Sequence, residues 1–293
     1  MSRALADALD KLLNAAGPSA ATLFTPAQRR ELDRFARQTG ALRLSTQGRG
    51  ASYLLTDAAL ARAHLLALRP TAIGQLDASL PARANNIARM RDSKGRAHSH
   101  ATGYLLLKAI GDGVTWQRAT GAGDGASIDI SAATALAGAA AIAIAADDNW
   151  HTAAPLWLVE NQALFDRLDW LPGDAHGSVV YYGGQLSRLL LDWMAQRARS
   201  ERIMFFPDYD GVGLLNYARL REKSLAPVQF WLMPDWETRL RKFGSNSVWQ
   251  NTHRDLTAAL LRLGALGMPL AVRELCQAMA AQGLALEHEA VWL

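Results

Sequence analysis

The sequence predicts an α/β protein in which a C-terminal parallel-sheet domain follows a smaller α+β region. Three observations carry that expectation. From residue 155 onward, short apolar runs alternate with amphipathic stretches, the pattern that builds a parallel sheet with its ligands at the carboxyl ends of the strands. Before it, two helical stretches lead into residues that alternate about a glycine-rich turn, which reads as a separate hairpin-containing unit. Acids or glycines stand directly after three of the later apolar runs.

Residues 2–15 place Leu5, Leu9, Leu12 and Leu13 at helical spacing, and Gly17-Pro18 ends the run. A second helix is punctuated at both ends. Thr25 caps it, Pro26 suits the first helical position, Gln28 completes a capping box and Gly40 stops it, with Leu32, Phe35 and Ala36 as the buried stripe. Residues 42–46 and 52–55 alternate about Gln47-Gly48-Arg49-Gly50 and predict a hairpin. Helix, helix and basic-tipped hairpin is the layout of a winged helix, with Arg49 where a wing arginine belongs; an α+β subdomain without a ligand has the same layout. Helices follow at 57–68 and 80–90, then a polar basic stretch at 91–100 and an apolar run at 104–110. Residues 111–125 read as a glycine-rich loop or hairpin, Ser131 as the cap of a helix running through the alanines to residue 146, and residues 147–154 as a linker.

The later strands each end on chemistry. Leu156-Trp157-Leu158-Val159 runs straight into Glu160-Asn161, followed by a helix over 163–168. Residues 178–182 end in Gly183-Gly184 and lead to a helix over 185–198 with Leu186, Leu189, Leu190 and Trp193 inward. Residues 202–206 pass through Pro207 into Asp208-Tyr209-Asp210-Gly211 and a helix over 212–225, and a fourth strand covers 228–232. Helices are expected at 236–243, 256–263 and 269–279, before a tail Leu286-Glu287-His288-Glu289.

A chain of 293 residues that is 50% hydrophobic has ample material for a core. There is no charged-then-apolar leader and no run of about 18 uncharged apolar residues, so a cytoplasmic protein without membrane contact is expected. The lone Cys276 leaves no internal disulfide and no thiolate zinc cage, which suits a reducing compartment. The net charge of +4 hides an asymmetry: residues 1–155 hold 17 Lys and Arg against 12 Asp and Glu, and the remainder 14 against 15. Between 82 and 108, Arg83, Arg89, Arg91, Lys94, Arg96 and Lys108 accompany a single acid, Asp92. Such a stretch can neutralise phosphates or simply be a solvated face. His98 and His100 share a face of an extended chain, but no third ligand stands nearby, which argues against a zinc site.

Asp208 and Asp210 are the centre of the functional reading. Two carboxylates at the end of a buried strand are costly unless a cation lies between them, because like charges a few ångströms apart cannot both stay ionised unaided. Oxygen donors of this kind suit Mg²⁺ or Mn²⁺. The plainer use of the same acids is to cap a turn and a helix.

An acid after the first strand, a glycine pair after the second and Asp-x-Asp after the third resembles the Toprim domain shared by topoisomerases, primases and several nucleases. Within that group, Glu160-Asn161, Gly183-Gly184 and the aromatic strand before Asp208-x-Asp210-x-x-Gly213 are most similar to the nuclease subunit of Wadjet-type anti-plasmid systems. That subunit belongs to the branch containing the archaeal type II topoisomerase A subunit and the meiotic break-forming protein. The resemblance covers about residues 155–235. It implies a winged-helix-like DNA-binding region over 1–150, a Toprim catalytic domain with a Rossmann-like parallel sheet over 151–240, and a helical extension over 241–293. The implied activity is that of a divalent-metal-dependent endodeoxyribonuclease. Glu160, Asp208 and Asp210 would hold one or two Mg²⁺ or Mn²⁺ ions, with Glu160 as ligand or general base. Double-stranded DNA, a second copy of the chain and an SMC-like ATPase complex are the implied partners. Arg49, Arg83, Arg89, Arg91, Lys94 and Arg96 are the expected phosphate contacts, with Lys94 directed at the scissile phosphate.

One departure matters for the chemistry. The topoisomerase branch attacks DNA with a tyrosine, whereas Tyr53 sits on the wing hairpin and Tyr104 heads an apolar run, and neither lies on a recognisable helix beside a basic partner. Both are expected to pack, so hydrolysis is expected instead of covalent attachment. Two rivals stand beside this reading. Asp208-Tyr209-Asp210-Gly211-Val212 matches the nucleophile loop of haloacid-dehalogenase-like phosphatases, although there the loop follows the first strand of the domain and here it follows the third. A non-catalytic DNA-binding adaptor with a Toprim scaffold is the other, and three acids that are costly to bury weigh against it. His288 and Glu289 are near enough to the end to approach the acids, but the expectation is that they are exposed tail residues.

Overall fold

The computed structural model describes residues 3–47, 50–71, 79–90, 101–118 and 125–293. The chain divides into two compact units, Met1–Ser99 and His100–Leu293.

The first unit runs α1 (Arg3–Leu13), a two-residue β1 (Ser19–Ala20), a 3₁₀ turn (Ala21–Leu23), α2 (Pro26–Thr39), β2 (Leu42–Gln47), β3 (Gly50–Leu55), α3 (Ala58–Leu68) and α4 (Ala82–Met90). The capping box of α2 is formed in both directions: Gln28 N donates to Thr25 Oγ1 at 3.2 Å and Thr25 N to Gln28 Oε1 at 3.0 Å. Gly40 closes the helix in the left-handed region at φ 67°. The strands form an antiparallel sheet in the order β1-β3-β2, over a core of Leu9, Leu12, Phe24, Leu32, Phe35 and Tyr53. Tyr53 packs as expected, its ring edge-on to Phe24 and its hydroxyl donating to Asp33 at 2.8 Å. Burial, reinforced by that hydrogen bond and the Asp33 charge, pushes its phenol up to about 12. The hairpin tip with Arg49, and Arg91, Lys94, Arg96, His98 and His100, lie outside the described residues.

The second unit is mixed α/β. Its elements are β4 (Thr102–Ile110), β5 (Thr115–Arg118), β6 (Ala126–Asp129), α5 (Ile130–Ala137), β7 (Ala140–Ala145), β8 (Trp150–His151), β9 (Leu156–Val159), α6 (Gln162–Asp166), β10 (Gly177–Tyr181), α7 (Arg188–Gln196), β11 (Ile203–Phe206), α8 (Gly211–Lys223), β12 (Val228–Phe230), α9 (Trp236–Phe243), α10 (Asn246–Ala265), α11 (Leu270–Gln282) and a closing 3₁₀ turn (His288–Trp292). The main sheet has the order β12-β11-β9-β10-β4-β7. The first four strands are parallel, and β4 and β7 join antiparallel. β9 and β11 are buried along their whole length, as central parallel strands must be.

Three expectations are corrected. The boundary placed at residue 150 moves to 99/100, because β4 hydrogen-bonds to β10 from Ile110 opposite Gly177 to Leu106 opposite Tyr181, and β7 to β4, which makes these two earlier strands part of the same sheet. The helix expected from Ser131 to residue 146 is only α5, capped by Asp129 and ended by Gly138 at φ 79°. Beyond it Ile142 and Ile144 alternate inward as a strand, while Ser131 Oγ accepts from Val114 N and donates to Gly111 O, both at 3.0 Å. Nor is 241–293 a separate extension. The 20-residue α10, longer than expected, packs on α8 so closely that a Cβ on Gly211 would stand 1.9 Å from Thr252 O. Two smaller differences accompany these. The expected linker contains β8, paired with β5, and Tyr104 points outward, 75% exposed, instead of packing. No helix among the described residues is long and apolar enough to cross a membrane.

Candidate metal centre

The sheet register brings the acids to one edge. Val159, the last residue of β9, pairs with Phe206, the last residue of β11, so Glu160 and the Pro207-Asp208 turn leave adjacent strands side by side. On the other flank of β9, Gly183 and Gly184 follow β10 at φ 67° and 79°, a double left-handed turn that glycine adopts without strain. Gly184 N donates to the carbonyl of Glu160 at 3.4 Å.

Each acid is held by a different device. Asp210 caps α8, with Oδ1 accepting from Gly213 N at 2.7 Å. Only 7% of it is exposed, and burial, with the charges of Asp208 and Asp255, pushes its carboxyl up to about 6 against the pull of the Gly213 and Val212 amides. Glu160 Oε2 accepts from the Tyr182 hydroxyl at 3.0 Å. Burial first, then the Asp208 charge and more weakly Asp210, push Glu160 up to about 7, while Tyr182 and His288 pull the other way. Asp208 Oδ1 accepts from the backbone N of His288 at 2.9 Å. The loop between the two aspartates is fixed through Tyr209, which is fully buried. Its hydroxyl accepts from Met233 N at 2.7 Å and donates to Trp231 O at 3.3 Å.

The C-terminal segment, expected as an exposed tail, is part of this site. Tyr209 and Leu286 exchange two backbone hydrogen bonds, at 2.8 and 3.0 Å, and this lays residues 286–289 across the Asp208 turn. His288 is 1% exposed. Its Nδ1 pairs with Asp208 Oδ1 at 2.7 Å, and its Nε2 lies 3.7 Å from Glu289 Oε2, beyond hydrogen-bond distance. Burial lowers the imidazole pKa, and Asp208, Glu289 and Glu160 together outweigh it and hold the group above its ordinary value. Asn161 caps α6 and its Nδ2 donates to Glu289 Oε1. The donor atoms of Asp208, His288 and Glu289 all lie within 4.8 Å of one another.

Of the three acids named from the sequence, Glu160 and Asp208 leave adjacent strand ends and Asp208 and Asp210 act on Glu160 through their charges, but among the described residues the donor atoms close enough for one ion are those of Asp208, His288 and Glu289, without Glu160 or Asp210. Tyr182 and Asn161 stand next to motif residues and were within reach of the sequence; the apolar Leu284-Ala285-Leu286 after the Gly283 helix stop was the available hint that the tail returns to the core. The donor set fits a divalent cation. Burial and the Asp208 charge raise the carboxyls of Glu160 and Asp210, which a bound cation would offset, and Asp208, His288 and Glu289 offer donor atoms within 4.8 Å of one another. The basic residues fare differently. Arg83 is exposed and Arg89 half-buried on α4, and six residues of helix set them about 120° apart around the axis, so they do not share one face. Comparison with known protein families and with curated proteins finds no match to this chain.

Proposed function

We propose that the chain is a divalent-metal-dependent DNA endonuclease that hydrolyses phosphodiesters, with His100–Leu293 as a Toprim-like catalytic unit and Met1–Ser99 as a winged-helix-like DNA-binding unit. The observation that carries this reading is that Glu160 and the Asp208 turn leave the carboxyl ends of adjacent parallel strands, with the carboxyls of Glu160 and Asp210 raised by burial and by Asp208's charge. A bound Mg²⁺ or Mn²⁺ would polarise a phosphate oxygen and acidify a water molecule. Asp208, oriented by the His288 amide, and the Asp210 oxygen not used by the Gly213 amide are the ligands. Glu160 accepts the proton from the attacking water. A value near 7 suits a general base at neutral pH, and the Tyr182 hydroxyl fixes which oxygen remains free.

In the first unit, the order α1, β1, 3₁₀ turn, α2 and the β2–β3 hairpin supports the winged-helix reading. Arg49 and the basic stretch from Arg83 to Arg96 are proposed to contact phosphates without reading sequence. Since a duplex needs two cuts and the chain offers one acidic site, the working form is proposed to be a homodimer, recruited to DNA by an SMC-like ATPase complex. The test sets nicking of supercoiled plasmid in Mg²⁺ or Mn²⁺ against hydrolysis of a generic phosphomonoester. Metal-dependent nicking supports the nuclease. Phosphomonoester turnover without nicking would favour the phosphatase reading, and DNA binding with neither activity the adaptor.

A further inference from the structure

We propose that Asp208, His288 and Glu289 form a nitrogen-containing divalent-cation position within the acidic site, so that the C-terminal segment supplies metal ligands and the site takes Mn²⁺ in preference to Mg²⁺. This deepens the nuclease reading and rests on its claim that the acids bind a divalent ion.

His288 is the informative residue. It is 1% exposed and lies among carboxylates, its Nδ1 paired with Asp208 Oδ1 at 2.7 Å and its Nε2 facing Glu289 Oε2 at 3.7 Å, beyond hydrogen-bond distance. The spacing suits an ion. An octahedral cation with bonds of about 2.1 Å separates neighbouring donors by about 3.0 Å and opposite donors by about 4.2 Å. The three donor atoms lie within 4.8 Å of one another, with His288 Nδ1 and Asp208 Oδ1 at 2.7 Å.

The surroundings hold the ligands without help from the metal. Tyr209 bonds Leu286, Ser245 and Ala285 exchange backbone hydrogen bonds at 2.7 and 3.1 Å, and Asn246 Nδ2 donates to Gly283 O at 2.8 Å. The Asn161 amide orients Glu289 and the His288 amide orients Asp208, the outer-shell support that ligating carboxylates require. The Phe206 ring flanks the imidazole at 5.5 Å between centroids. Donor chemistry then sets the preference. Mg²⁺ favours an all-oxygen shell with several waters, whereas Mn²⁺ accepts imidazole beside carboxylate. Glu160, Asp208 and Asp210 alone would offer both ions the same oxygens.

The test is pulsed electron paramagnetic resonance of Mn²⁺ on the full chain, paired with calorimetric titration of Mn²⁺ and Mg²⁺. Wild-type protein is expected to show ¹⁴N modulation of the bound Mn²⁺ signal. In His288→Gln that modulation should vanish and Mn²⁺ affinity fall about tenfold or more, with a smaller loss for Mg²⁺. In Glu289→Gln the nitrogen signal should persist with several-fold weaker Mn²⁺ binding; this variant keeps the imidazole and provides the check if His288→Gln does not fold. Bound Mn²⁺ without nitrogen coupling, or unchanged Mn²⁺ affinity in Glu289→Gln, would overturn the proposal and leave the carboxylate site standing. No binding of either ion to wild type would overturn both.

Discussion

Replacing Asp210 by Asn removes a charge and keeps a shape. The amide oxygen can still accept from Gly213 N, so the cap of α8 survives. What disappears is the cost of ionising a group that is 7% exposed and whose carboxyl is pushed up to about 6 from 3.8. The folded value lies above the unfolded one. The stabilisation contributed by the protonated form is therefore complete below about pH 4 and is lost as pH rises through 6. A difference of about two units corresponds to about 3 kcal/mol at pH 8. Asp210→Asn should accordingly be more stable than wild type by about 1–3 kcal/mol at pH 8 in chelator, with the difference closing toward pH 4. Urea unfolding followed by tryptophan fluorescence measures this, and all 9 tryptophans lie in the second unit, so the signal reports that unit. Mg²⁺ or Mn²⁺ should raise wild-type stability at pH 8 and affect the variant far less. A variant that is destabilised at pH 8, or a difference that does not change with pH, would refute the reasoning that Asp210 is a buried like-charged group awaiting a cation.

Other outcomes follow from the same site. Glu160→Gln should lower cleavage by about 100-fold or more and flatten a pH–rate profile that in wild type rises near pH 7; a retained rise would assign the base elsewhere. Tyr182→Phe removes a hydrogen bond that favours the Glu160 carboxylate, so the rising limb should move to higher pH, and a downward move would contradict the arrangement. Gly211→Ala drives a methyl group into Thr252 O and should destabilise the second unit by more than about 3 kcal/mol in urea unfolding, against less than about 1 for an exposed position such as Leu261→Ala. Equal effects would mean that α10 yields easily.

The parallel strands and their acids were legible because each is a local pattern: an apolar run of four or five residues with its functional group directly after it. Asp210 also shows why the two readings of Asp-x-Asp could not be separated from sequence. It is a helix cap through one oxygen and an acid with a raised carboxyl through its burial, so the cap leaves the second oxygen free for the proposed cation. What escaped is non-local. The alanine-rich stretch reads as one helix because alanine favours helix most strongly, and only the Gly138 stop and the two-residue spacing of Ile142 and Ile144 reveal the strand. The pairing of β4 with β10, and of Leu286 with Tyr209, joins residues more than 60 positions apart, and no short-range signal records such contacts. His288 is expected as an exposed tail residue for the same reason, since a histidine so placed carries no mark of the turn it will cover.

The most direct test of a metal-dependent nuclease is cleavage of supercoiled plasmid by the full chain and by Asp208→Asn, each with Mg²⁺, with Mn²⁺ and with chelator. Wild type should nick or linearise the plasmid only with metal and leave DNA ends free of attached protein, while Asp208→Asn should remain folded and inactive. Cleavage by Asp208→Asn at the wild-type rate, or metal-independent cleavage that leaves protein joined to the DNA, would contradict the assignment.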